Sequence, residues 1–183
     1  VRLDDGSTVV MNGNSAFSME LNRRERGIFL FEGQALFQVA KDALRPFIVE
    51  ANGGETRAVG TEFDIDIRPR QVVITVSEGI VDVSSGVRTT EADGHSVRAH
   101  ANQRVTYRPD GAPSAPEEID ADVETAWRRG KLIFNAKPLG DVVAALSRYR
   151  SGKILIADNQ LSSLEVTGVF DLAQPETVLE TIE

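Results

Sequence analysis

Two segments constrain the fold of this chain more than any others. They are Phe31-Glu32-Gly33-Gln34-Ala35-Leu36-Phe37-Gln38-Val39-Ala40 and Val59-Gly60-Thr61-Glu62-Phe63-Asp64-Ile65-Asp66-Ile67. Each reads as an alternating strand that starts at a glycine. Side chains in a strand repeat every two residues, so Phe63, Ile65 and Ile67 share one face and Glu62, Asp64 and Asp66 the other. The pattern predicts one buried face and one wet face. Neither segment carries a nucleophile beside a base or a cluster of metal ligands.

Similar pieces recur from Val1 to about Tyr107. Strands are predicted at Thr8–Met11, Ser15–Leu21, Arg26–Phe31, Ala35–Val39, Phe47–Ala51, Arg57–Val59, Glu62–Ile67, Gln71–Val76 and Ile80–Val83. Weaker ones fall at Val97–Ala99 and Arg104–Tyr107. Asn12-Gly13-Asn14 signals a hairpin, and Asn52-Gly53-Gly54 a second turn, because Asn and Gly tolerate positive φ. The apolar run Gln71–Val76 suits a strand buried on both faces. Strand and turn signals at this spacing predict an antiparallel β-sandwich, barrel or rolled sheet over residues 1–108.

Residues 109–129 read as a proline-rich linker followed by a short helix at Ala121–Arg129 that carries Trp127. Beyond Gly130 the periodicity changes. Lys131–Asn135 alternates, and Pro138 opens a helix whose stripe is Leu139, Val142, Val143, Leu146 and Tyr149, stopped at Gly152. Strands at Ile154–Ile156 and Leu164–Phe170 precede a second helix over Gln174–Glu183. This order predicts a small β-α-β-β-α module over residues 130–183. So small a core is expected to lean on the β domain, with Trp127 in the joint.

Composition excludes several functions. The 183 residues carry a net charge of −8, which argues against nucleic-acid binding. The one basic knot, Arg23, Arg24 and Arg26, reads as a solvated turn. Cysteine is absent, which excludes thiol catalysis, disulfides and Cys-ligated zinc. No apolar run reaches the roughly 20 residues that span a bilayer. The chain starts inside a strand-turn pattern and stops inside an amphipathic one, and so reads as an excised soluble fragment.

The chemistry-bearing residues have bland readings. Glu62, Asp64 and Asp66 form an alternate carboxylate stripe that suggests a cation, but further ligands are missing and a solvent face explains them. A cupin-type metal centre needs clustered histidines, and His95 and His100 lack that spacing. Phe29, Phe31, Phe37, Phe47 and Phe63 suit a sugar-stacking platform less well than core packing. The expectation is therefore no enzyme, no metal and no cofactor. Half-exposed strands could dock a partner through an open edge. The candidates are Arg104, Val105, Thr106 and Tyr107, and Lys131, Leu132, Ile133 and Phe134.

Several pieces together resemble the periplasmic portion of FecR-type anti-sigma regulators. They are Leu3-Asp4-Asp5-Gly6-Ser7-Thr8-Val9, Leu30 to Val39, Arg45-Pro46-Phe47-Ile48-Val49, Val59-Gly60-Thr61-Glu62-Phe63 and Val76-Ser77-Glu78-Gly79-Ile80-Val81-Asp82-Val83. Ala101-Asn102-Gln103, with Asn102 where the family usually has glycine, and Trp127 to Phe134 with Pro138-Leu139 complete the order. The tail also looks like the secretin and TonB short N-terminal module. The resemblance implies a receiver in the periplasm. Ahead of Val1 it implies a membrane helix in the inner membrane and a cytoplasmic segment that binds a sigma factor. As partner it implies the signalling domain of an outer-membrane TonB-dependent transducer, often for iron carriers. A carbohydrate- or envelope-binding β module and a degenerate cupin-type enzyme stay open as alternatives.

Overall fold

The computed structural model describes residues 1–22, 24–85, 96–149 and 154–173. The chain divides into two units, Val1–Thr125 and Ala126–Glu183.

The first unit is a β-sandwich. Its strands are β1 (Thr8–Met11), β2 (Ala16–Leu21), β3 (Arg26–Glu32), β4 (Gln34–Gln38), β5 (Phe47–Ala51), β6 (Gly54–Ala58) and β7 (Glu62–Arg68). They continue with β8 (Gln71–Glu78), β9 (Ile80–Ser85), β10 (Ser96–His100), β11 (Gln103–Tyr107) and β12 (Glu117–Glu118), before the short helix α1 (Ala121–Glu124). One sheet has the order β1-β4-β7-β8-β11-β12, the other β10-β9-β6-β5-β3-β2. Their inner faces meet in one core that includes Val9, Ile28, Phe37, Phe47, Val49, Phe63, Ile74, Val83 and Val105. Phe37 anchors it, with ring centroids 5.2 Å from Phe63 and 6.0 Å from Phe47.

Two glycines carry the chain from one sheet to the other. β3 and β4 lie in different sheets and are joined by Gly33 alone, and β8 passes to β9 through Gly79. Both have positive φ, +83° and +82°, which L side chains rarely adopt. The Glu32-Gly33 and Glu78-Gly79 pairs are therefore corners of the sandwich. Asn102, at φ 61°, occupies another left-handed position, which asparagine tolerates.

Three sequence expectations need correction here. Asn12-Gly13-Asn14 does not close a hairpin, because β1 pairs with β4 and β2 with β3. Asn12 instead donates from Nδ2 to Gln34 Oε1 at 2.7 Å, which fixes the crossover between sheets. The sandwich is not wholly antiparallel, since β3 and β5 run parallel. Gly54 belongs to a strand, not a turn. Asn52-Gly53 forms the two-residue hairpin with both φ positive, and Ala51 pairs with Gly54.

Gly54 is glycine for a packing reason. A Cβ there would stand 2.3 Å from Tyr107 Cζ, so the phenol ring lies directly on the backbone. Tyr107 is buried and donates its hydroxyl to the Ala51 carbonyl. Burial pushes the Tyr107 pKa up, so the phenol stays protonated. Tyr107→Phe should cost about 1–3 kcal/mol in urea unfolding, because it strands a buried carbonyl. An unchanged midpoint would show that water replaces the bond.

The second unit opens with a 3-10 turn at Ala126–Arg129, followed by β13 (Lys131–Pro138), α2 (Leu139–Leu146), a 3-10 turn at Asn159–Ser163 and β14 (Glu165–Asp171). β13 and β14 form a two-stranded antiparallel sheet with a bulge between Phe134 and Lys137. At the bulge Ala136 has φ 48°, and its amide donates to Thr167 Oγ1 at 3.0 Å. Phe134, Val142 and Leu146 are buried with Leu132, Ile154, Val166 and Phe170 packed against them. The expected helix begins at Leu139, with Pro138 at its N-cap and still paired to Glu165. The expected strand Ile154–Ile156 forms no ladder among the described residues; Ile154 instead packs into the small core while Leu155 is exposed. The predicted helix at 174–183 and the stop at Gly152 lie outside the described residues.

Candidate functional site

A densely bonded polar cluster surrounds Arg26, at the start of β3. The alternation of β3 turns Arg26, Ile28 and Leu30 inward, so the guanidinium is fully buried. Its Nη1 donates to Asp5 Oδ2 and to the Ala40 carbonyl, both at 2.8 Å, and its Nε to the Arg45 carbonyl at 2.9 Å. The guanidinium carbon also sits 5.4 Å from the Phe47 ring centroid. Ser7 completes the knot. Its hydroxyl donates to Asp5 Oδ2 at 2.7 Å and accepts from the Ala40 amide at 3.0 Å. Burial pushes the Asp5 carboxyl up, but hydrogen bonds from Ser7 and Arg26 outweigh it and hold the pKa below the ordinary value. One cation thus ties the first turn to the loop before β5. The expectation that Arg26 shares a solvated turn is overturned, because strand parity turns it into the sandwich. Arg24 is exposed, and Arg23 lies outside the described residues.

Beside this knot lies an open depression of about 390 Å³, lined by Gly6, Thr8, Gln38, Gly60, Thr61, Glu62 and Glu78 among others. Gln38 Nε2 donates to Glu62 Oε2 at 2.9 Å across it. Among the described residues no three His, Asp or Glu side chains gather as a metal site.

The carboxylate stripe of β7 departs from its predicted wet face. Asp64 and Asp66 are 3% and 4% exposed. Gln34 Nε2 donates to Asp64 Oδ2 at 2.9 Å, and Arg68 Nε donates to Asp66 Oδ2 at 2.7 Å. The residues paired on this face, Leu36, Val73 and Thr75, are buried as well. The outer face of this sheet is therefore covered, in part by α1 packing on β8. The sequence signal was Leu36 and the continuous apolar run of β8, which left too few polar positions for a solvated face. Of the five phenylalanines, Phe37, Phe47 and Phe63 are buried, Phe29 is half-buried and Phe31 is 65% exposed. His100 is exposed at the end of β10, and His95 lies outside the described residues.

The structure places the two predicted docking strands differently. β11, which holds Arg104, Val105, Thr106 and Tyr107, has β8 on one side. On its other side β12 pairs with Gln103 and Arg104. Thr106 is bonded there as well, donating its amide to Ser114 Oγ at 3.1 Å and accepting from the Ser114 amide at 2.8 Å. The proline-containing stretch thus fills this edge from within the chain, and Arg104 also pairs with Glu117 at 2.8 Å. β13, which holds Lys131, Leu132, Ile133 and Phe134, has β14 as its one strand neighbour among the described residues. Trp127 is buried in the 3-10 turn that opens the second unit.

The first unit is thus a β-sandwich whose glycine corners and buried polar knot serve its architecture, and the second is a small α+β unit. Comparison with known proteins relates this architecture to a family over part of its length. Residues 1–82 match the FecR protein family, so the resemblance to FecR-type anti-sigma regulators is borne out. A crystal structure at 1.65 Å of a candidate anti-sigma factor from Parabacteroides distasonis ATCC 8503 matches with a TM-score of 0.84 and 26% identity. It covers 100% of this chain and 84% of that one. A second structure with the same description, at 2.50 Å, matches with a TM-score of 0.77, 25% identity and the same coverage. Among curated proteins nothing matches. The family and these relatives support a regulatory role.

Proposed function

We infer that this chain is the periplasmic receiver of a transmembrane anti-sigma regulator, and that it binds the signalling domain of an outer-membrane TonB-dependent transducer. The observation that carries this reading is the end-to-end match of the whole chain to an anti-sigma candidate, together with the FecR match over residues 1–82. The receiver works by binding and catalyses no reaction. Docking biases a conformational equilibrium only by its differential affinity for the two states, and a membrane helix ahead of Val1 passes that bias to a cytoplasmic sigma-binding segment. Of the two strands considered for docking, β13 is preferred, because Lys131–Phe134 keeps an edge without a strand neighbour among the described residues.

Titration calorimetry tests the reading. This chain should bind at least one transducer signalling domain from its own genome with a Kd near or below about 1 μM. Ile133→Pro should weaken that binding while circular dichroism stays unchanged. No binding by any such domain would overturn the proposal.

A further inference from the structure

The sandwich leaves one edge unfinished at β2. The sheet that ends there carries an inner row of paired residues: Val97, Val83, Thr56, Val49, Ile28 and Met19. Val83, Thr56, Val49 and Ile28 are fully buried, yet Met19 at the end of the row is 51% exposed. The row stops one strand short of closing over an apolar side chain.

The backbone is open at the same place. The Asn22 amide donates to the Glu25 carbonyl, so the hairpin begins with a hydrogen-bonded pair. Pairs alternate in an antiparallel ladder, so Glu20 and Ser18 bond to β3, while Phe17, Met19 and Leu21 direct their amides and carbonyls outward. Among the described residues nothing bonds to those outward groups. At its other end the edge is interrupted by a bulge, where Ala16 pairs with Glu32, Phe17 pairs with Leu30 and Phe31 is left over and exposed. Bulges and short strands blunt edges, but Phe17–Leu21 runs in regular register.

Charge selects the occupant. Glu20 is exposed on this edge and Glu32 on the neighbouring β3, with Arg24 exposed at the far end of the turn. The whole chain is acidic, at −8. A second copy fits poorly. It would bring the same net charge of −8 to an edge that already presents Glu20. We propose that β2 is a docking edge for an extended segment of another polypeptide that alternates apolar and basic side chains. Its apolar side chains would cover Met19 and its cations would face Glu20 and Glu32. Main-chain pairing would supply the affinity and the acidic rim the choice of partner. This assignment rests on the β unit alone and does not depend on the transducer reading.

The test uses the intact chain and two fluorescein-labelled peptides, one alternating lysine with valine and one alternating glutamate with valine, read by fluorescence anisotropy. The lysine peptide should bind saturably and the glutamate peptide should not. Met19→Pro removes an outward amide without touching the β3 ladder, and should weaken binding by about tenfold or more. Glu20→Lys should weaken it as well. If Met19→Pro fails to fold by circular dichroism, Met19→Lys takes its place, since it keeps the amide and sets a cation against the cationic peptide. No binding, equal binding of both peptides, or unchanged binding in the folded variants would overturn the proposal. So would a concentration-dependent dimer in sedimentation that Met19→Pro abolishes, because β2 would then be a self-association edge.

Discussion

Replacing Arg26 with alanine is expected to cost about 3–5 kcal/mol of unfolding free energy, because it removes one partner of a buried pair and strands the other. The pair is deeply enclosed, with side-chain exposures of 0% for Arg26 and 3% for Asp5. More than the Asp5 contact is lost. The Ala40 and Arg45 carbonyls each lose a donor, and Phe47 loses the cation over its ring. Arg26→Lys should fall between wild type and alanine, since an ammonium keeps the charge but cannot span three acceptors with a fixed fork. Chemical denaturation at neutral pH measures both variants. A loss under about 1 kcal/mol for alanine would mean that Asp5 finds water or protonates at little cost.

The same pair sets a pH dependence. Asp5 has a lower pKa folded than its ordinary value of 3.8. A depressed carboxyl contributes stability that is fully present above its unfolded pKa and lost as pH falls through the lower folded value. In Arg26→Ala that depression shrinks, because the Arg26 hydrogen bond and charge are gone while the bonds from Ser7 remain. The stability gap between wild type and variant should therefore narrow as pH falls from about 5 to about 3. A gap that stays constant would remove Asp5 from the account.

Period-two alternation was enough to place most strands of the sandwich, and Phe47–Ala51 coincides at both ends with the observed β5. Partner choice was not legible, because it is set by distant residues. Nothing local to Ser15–Leu21 says that it leaves β1 behind and joins the opposite sheet. Buried polar groups escaped for the same reason. Arg26 meets an acid 21 residues away, and Asp64 meets Gln34 across 30 residues, so neither partner is visible within a strand-length window. The docking strands show a further limit. Alternation correctly marked Arg104–Tyr107 as half-exposed, but it cannot say which edge of a strand is open. That edge was filled by Ser114 and β12, from a stretch whose prolines suggested only a linker. Met19 gave the opposite signal. It shares the inward parity of Phe17, and only the sheet order places it at an edge.

Gly33→Ala should be the most damaging glycine-to-alanine change among the described glycines with positive φ. Two effects add. Gly33 has φ +83°, where an alanine costs about 1–2 kcal/mol. Its Cβ would also stand 2.3 Å from Ser15 Oγ, 2.4 Å from the Asn14 carbonyl oxygen and 2.6 Å from Ser15 Cα. Two of these are backbone atoms and cannot swing away, so overpacking adds about 1–3 kcal/mol or forces the corner open. The corner is the single residue by which β3 leaves one sheet and β4 enters the other, so relief there would shift the register of both strands. Ser15 is also engaged, since its hydroxyl accepts from the Gln34 amide and donates to the Gln34 carbonyl, both at 2.9 Å. Gly79→Ala should cost less. Its φ is similar, but its nearest obstacle is the Thr61 side chain at 2.8 Å. Gly130→Ala, with φ +72° and nothing within 4 Å of the added carbon, should lose only the backbone term. The expected order of loss in thermal or urea unfolding is Gly33, then Gly79, then Gly130. If Gly130→Ala proved as harmful as Gly33→Ala, backbone strain alone would govern these corners and the close approach of Ser15 would be irrelevant.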